Sequence, residues 1–184
     1  MTKSLLACMF GFTVCGALPS YGQAPLSVCD LIVRRTELDG RMVTVRGIVG
    51  GGGHGTFLRA QRSCAYELIT RGVAWPNVVA LTYPDNRSKI PADHANFKVD
   101  WGAIRRADNE AVRGGYDPKT NHEVATFIGL SITFSDLENR VTPGMPGALR
   151  LGFGPDLLGA PTQLLIKSIN DVVIVKNGED EKEQ

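Results

Sequence analysis

The chain has 184 residues, with 20 Lys and Arg against 19 Asp and Glu, for a formal net charge of +1. That balance excludes a protein built to hold nucleic acid by charge, which needs a basic excess. The length suits one domain with a sizeable core, and 21 glycines beside few aromatic residues favour strands and turns over helical bundles.

The chain opens with Lys3, an apolar run from Leu5 to Ala17, and a break at Pro19-Ser20 followed by small residues at Gly22 and Ala24. This is the pattern of a secretory signal peptide over residues 1–24, cleaved after Gly22 or Ala24. The run falls short of the ~20 residues that a membrane-spanning helix takes. A lipid-modified cysteine is the alternative. Val14 before Cys15 is the wrong shape for it, and Cys8 has almost no apolar run before it. Lys3 is the one charged residue in this segment, so the exported remainder is neutral. No later segment is apolar enough to span a membrane, and a periplasmic or extracellular location is expected.

Ser27 and Asp30 form a capping-box pattern, and Val28, Leu31 and Ile32 share a helical face, which predicts a short helix from Val28 to about Arg35. Asp39-Gly40 marks a turn. Met42 to Val49 alternates as a strand, with Val43, Val45 and Val49 on one face, and Gly47 there marks a bend or a close approach. Gly50 to Gly55, with His54 inside it, is a connection. Thr56 to Ala60 and Cys64 to Thr70 are predicted as a second strand broken near Arg62, and Asn77 to Tyr83 as a third, after the punctuation of Trp75-Pro76.

From Pro84 the pattern turns polar. Asp100 is placed to cap a helix with Trp101, Ile104 and Val112 on one side, stopped by Gly114-Gly115. Glu123 to Asp136 reads as a fourth strand, Thr142 to Pro161 as a long loop, and Gln163 to Val175 as a last strand or pair of strands. Asn177 to Gln184 is a charged, mobile tail. The expected fold is mostly β with two helices. It is a five-stranded OB-like Greek-key barrel spanning residues 25–176, with a short N-terminal helix and a second helix between strands three and four.

Leu38-Asp39-Gly40, Met42 to Gly47 and the Gly152-Phe153-Gly154 loop together resemble exported bacterial OB-fold proteins of uncharacterised function. The resemblance implies a fold and a compartment, not an activity. Such proteins carry a histidine after that last loop, and Pro155 stands there in this chain.

Cys29 and Cys64 are the two cysteines past the signal segment. In an oxidising compartment they are expected to pair, closing a loop of roughly 36 residues and stabilising by about 3–4 kcal/mol. Two buried thiols are the alternative.

Candidate chemistry is sparse. His54 in its glycine run offers an anion cradle or a metal-binding nitrogen, or else the tip of a hairpin. His54, His94 and His122 lie far apart, without HExxH or CxxC, so neither a metal nor any other cofactor is expected. His122-Glu123 with Asp117 would be an acid/base pair if the fold joined them. Cys64 is committed to the disulfide and no GxSxG occurs, so there is no sign of a nucleophile. Asp85, Asp93, Asp100 and Asp108 are spaced for capping and solvation.

Trp75, Tyr66, Phe57 and Tyr83 interleave with Arg59, Arg62 and Arg71. They are either a stacking face of the kind OB barrels use, or core under the capping helix. The expected function is an exported, non-enzymatic binding module for a small molecule, glycan or envelope protein, with Trp75, Tyr66, Phe57, Tyr83, Arg59 and His54 as ligand-binding residues. The alternatives are a hydrolase using His54 or His122 with a nearby Asp, and a structural envelope protein.

Overall fold

A computed structural model describes residues 24–52, 55–84, 90, 92–141, 152–153 and 159–178. Residues 1–23, which hold all but the last residue of the expected signal peptide, His54, Asp85, residues 179–184 of the expected tail and most of the expected 142–161 loop lie outside the described residues. In chain order the elements are β1 (Leu26–Ser27), α1 (Val28–Val33), β2 (Met42–Gly52), β3 (Gly55–Arg59), β4 (Ile69–Thr70), β5 (Val73–Ala74), β6 (Val78–Thr82), α2 (Trp101–Arg113), β7 (Asn121–Thr133) and β8 (Thr162–Lys176). Single 3-10 turns sit at Ala92–His94 and Leu137–Arg140.

Five strands close into a barrel in the order β2-β3-β6-β8-β7, with β7 pairing back onto β2. Only the β6–β8 contact within it is parallel. This is the five-stranded OB-like barrel expected from the sequence, with α2 between its third and fourth strands. The alternation of β2 turns Val43 and Val45 inward, where they meet Leu58, Val79, Val124, Phe127, Leu164 and Ile166 in one core. β1 lies outside the ring, parallel to β2.

Ser27 and Asp30 form the expected capping box, the Asp30 N–H donating to Ser27 Oγ over 3.0 Å and the Ser27 N–H to Asp30 Oδ2 over 3.2 Å. Val28, Leu31 and Ile32 are buried. Gly47 explains itself here. A Cβ on it would stand 2.9 Å from both the Arg59 carbonyl oxygen and Val28 Cγ2, so its bare backbone lets α1 close on the barrel.

Asp100 caps α2 by accepting the Ala103 N–H over 2.9 Å. Gly115, at φ +73°, ends it: its N–H donates to Val112 and that of Tyr116 to Ala111, the two bonds of a Schellman motif. The expected apolar face is corrected. Ala103, Ile104, Ala107 and Ala111 are the buried stripe, while Trp101 and Val112 are 50% and 77% exposed. Small alanines let the helix lie close to β8, and the larger side chains fall on the opposite side.

The second strand is also corrected. Only Gly55–Arg59 belongs to the barrel; Cys64 lies in an irregular segment, and Ile69–Thr70 pairs with Val73–Ala74 as a separate hairpin. The final segment is one 15-residue strand rather than two. Extra residues bulge it near Lys167 and Asp171 against β7. Both freed carbonyls find donors: Lys167 accepts the Asp100 N–H at 2.7 Å, and Asp171 accepts Arg46 Nη1 at 3.0 Å. The bulges thus anchor α2 and tie β8 to β2.

Candidate ligand cleft

Cys29 of α1 and Cys64 are joined in a disulfide, as their count suggested. The link holds the 60–68 segment against the first helix. Beyond it the chain turns through Arg71 and Gly72, both at positive φ (50° and 75°), in the two-residue loop joining β4 to β5. Positive φ at both central positions is the signature of a type I′ turn, which favours Asn, Asp or Gly at the first of them. A long side chain there costs about 1–2 kcal/mol.

Trp75 secures this hairpin from the core side. It is 3% exposed, its N–H donates to the Leu68 carbonyl over 2.7 Å, and its indole Nε1–H donates to Thr70 Oγ1 over 3.0 Å. Thr70 is itself buried, so the bond meets the polar needs of both side chains.

Between the hairpin, the end of α1 and the segment after β7 lies a cleft of about 430 Å³. Arg35 and Thr36 form one wall, Tyr66 and Ile69 to Arg71 another, and Phe134, Ser135, Leu137 and Glu138 the third. Its volume falls in the ~300–1,000 Å³ range of small-molecule sites. Tyr66 and Ile69 are 49% and 57% exposed, apolar surface at its mouth.

Arg35 Nη1 donates to the Ile32 carbonyl, closing the C-terminal turn of α1 at 3.2 Å, and its buried Nε has no acceptor among the described residues. A shielded donor left without a partner costs about 1–3 kcal/mol. Phe134 is sandwiched. Phe153 stacks 3.9 Å away at 8°, and the Arg140 guanidinium lies 3.4 Å from the ring centroid. Two groups this close cannot share a face, so they cover opposite ones.

Of the residues expected to form a binding face, Tyr66 lines the cleft and Trp75 lies beneath it. Phe57 and Arg59 share the outer face of β3, opposite in direction to buried Leu58, with the Phe57 ring against Gly50. Tyr83 stacks on Trp101 with ring centroids 6.2 Å apart. None of these three lines the cleft, and His54 lies outside the described residues. Arg71 joins the cleft, as the interleaving of aromatic and basic residues hinted. Arg35 and Phe134 were missed, because nothing local marks a helix-end arginine or a strand-end phenylalanine as neighbours of a distant hairpin.

The two described histidines are engaged elsewhere. His94 Nε2 lies 2.7 Å from the Gly40 carbonyl, pinning a 3-10 turn to the loop before β2. His122 Nδ1 lies 3.2 Å from Asn177 Oδ1, while the Asp117 carboxylate accepts the Lys119 N–H in its own turn. Among the described residues, no three His, Cys, Asp or Glu side chains converge as metal ligands. Burial, and secondarily Asp108, pushes the Glu123 carboxyl above its ordinary range; burial, then Asp108 and Glu123, does the same to the Tyr83 hydroxyl. No helix among the described residues is long and apolar enough to cross a membrane. In comparison with known proteins, the chain matches no family model, no curated protein and no solved structure.

Proposed function

We propose that this chain is an exported, non-enzymatic binding module of OB type, related in kind to the exported bacterial proteins its sequence resembles, and that it takes a small molecule in the cleft beside the β4–β5 hairpin. The observation that carries this reading is how the cleft is built. Three chain segments distant in sequence meet there, the Cys29–Cys64 disulfide tying α1 to the segment that carries Tyr66 and Trp75 bracing the hairpin that follows it. Preorganised walls reduce the ordering cost of binding. The disulfide also supports export, since such bonds persist in oxidising compartments.

Thermal-shift screening of the secreted protein against small organic acids, amines, alcohols and sugars tests it. At least one compound class is expected to raise the melting temperature. That rise is expected to vanish in Ser135→Trp, where an exposed wall position gains a ring that fills the space. A rise that persists in this variant places binding elsewhere and contradicts the reading.

A further inference from the structure

We infer that the cleft selects a small organic anion, a carboxylate or phosphate carried on a flat apolar body, and that Arg71 is kept in its turn to read that charge. The inference rests on the cleft being the binding site. Two guanidinium groups, Arg35 and Arg71, lie on adjoining walls, against the single carboxylate of Glu138. Among the described residues neither arginine has a carboxylate within ion-pair distance, whereas Arg34 and Arg140 pair with Glu37 at 2.6 Å and Asp136 at 3.1 Å. Among the described residues Ile32 O is the one acceptor Arg35 meets, which leaves most of its planar fork of donors uncommitted there.

Phe134 adds to the same preference. With Arg140 and Phe153 over its two faces, it can offer the cleft only its rim, the positive edge of the ring quadrupole. Tyr66 and Ile69 at the mouth supply the apolar surface for the ligand body.

The turn supplies an independent sign. Arg71 occupies a backbone conformation at φ 50° that Asn or Gly would hold with less strain. Strain of this kind gathers at ligand sites, where the side chain rather than the fold is what the position serves.

The test is calorimetric titration of the full secreted chain with benzoate and phenyl phosphate, with benzyl alcohol and benzylamine as matched neutral and cationic probes. One or both anions are expected to bind, more weakly as salt rises, and the better of the two identifies the head group. Arg71→Asn is expected to melt at a higher temperature than wild type yet bind the anion about tenfold or more weakly. Arg71→Lys is expected to fall between. Benzyl alcohol or benzylamine binding as tightly as the anions, with Ser135→Trp blocking it, overturns the anion preference and leaves the cleft intact as a site. Absence of anion binding at millimolar concentration, or an Arg71→Asn protein that binds as wild type does, also overturns the inference.

Discussion

The indole N–H of Trp75 and the hydroxyl of Thr70 meet at 3.0 Å in a buried setting, and that bond couples the protein core to one wall of the cleft. Trp75 therefore acts from beneath the surface on which Tyr66 is exposed. Replacing it with Phe removes the donor and leaves the Thr70 oxygen shielded. The expected loss is about 1–3 kcal/mol, read by urea denaturation. Trp75→Ala adds a cavity and is expected to cost about 3–5 kcal/mol. An unchanged midpoint for Trp75→Phe means that the bond contributes nothing.

The disulfide fastens α1 to the segment that carries Tyr66. Alkylation of the native protein without reduction, followed by mass measurement, is expected to label neither Cys29 nor Cys64. The double substitution to Ser is expected to lower stability by about 3–4 kcal/mol. Two labelled thiols in the native protein would refute the pairing.

The two faces of α2 give a sharp contrast. Ile104 is 4% exposed and Val112 is 77% exposed. Ile104→Ala is expected to cost about 2–5 kcal/mol, and Val112→Ala to fall within about 0.5 kcal/mol of wild type. Similar costs at both positions would mean that the helix is rotated from the orientation given above.

Glu123 sets a pH dependence with a definite sign. Its carboxyl is raised above the unfolded value by burial and by Asp108, so the folded state holds its proton more tightly than the unfolded chain does. Stability from this group is full below the unfolded carboxyl pKa and is lost as pH rises through the higher folded value. Glu123→Gln is accordingly expected to raise the melting temperature at neutral pH and to have little effect in acid below the ordinary range of about 4. Denaturation followed across pH checks this, and a variant that stabilises more in acid than at neutrality would contradict it.

The barrel was legible because its signals are local. Strand alternation in β2, the capping box of α1, the Asp100 cap and the glycine stop of α2 each occupy a few adjacent residues. Elements set by tertiary context were not. Cys64 to Thr70 has strand-like composition, but the disulfide and the Arg71-Gly72 turn draw it into a loop and hairpin outside the ring. The α2 face is legible only at Ile104, because alanines, not the larger Trp101 and Val112, complete the close contact. In the cleft, Tyr66 and Arg71 stood out by residue type, whereas Arg35 and Phe134 enter only through folding.

Amide chemical-shift mapping of the labelled protein titrated with benzoate tests the binding claim most directly. Saturable shifts are expected at Thr36, Tyr66, Ile69 to Arg71 and Ser135 to Glu138, with Phe57, Arg59 and Tyr83 unmoved. Shifts confined to the outer face of β3 or to the Tyr83–Trp101 pair, with the cleft amides still, would contradict it.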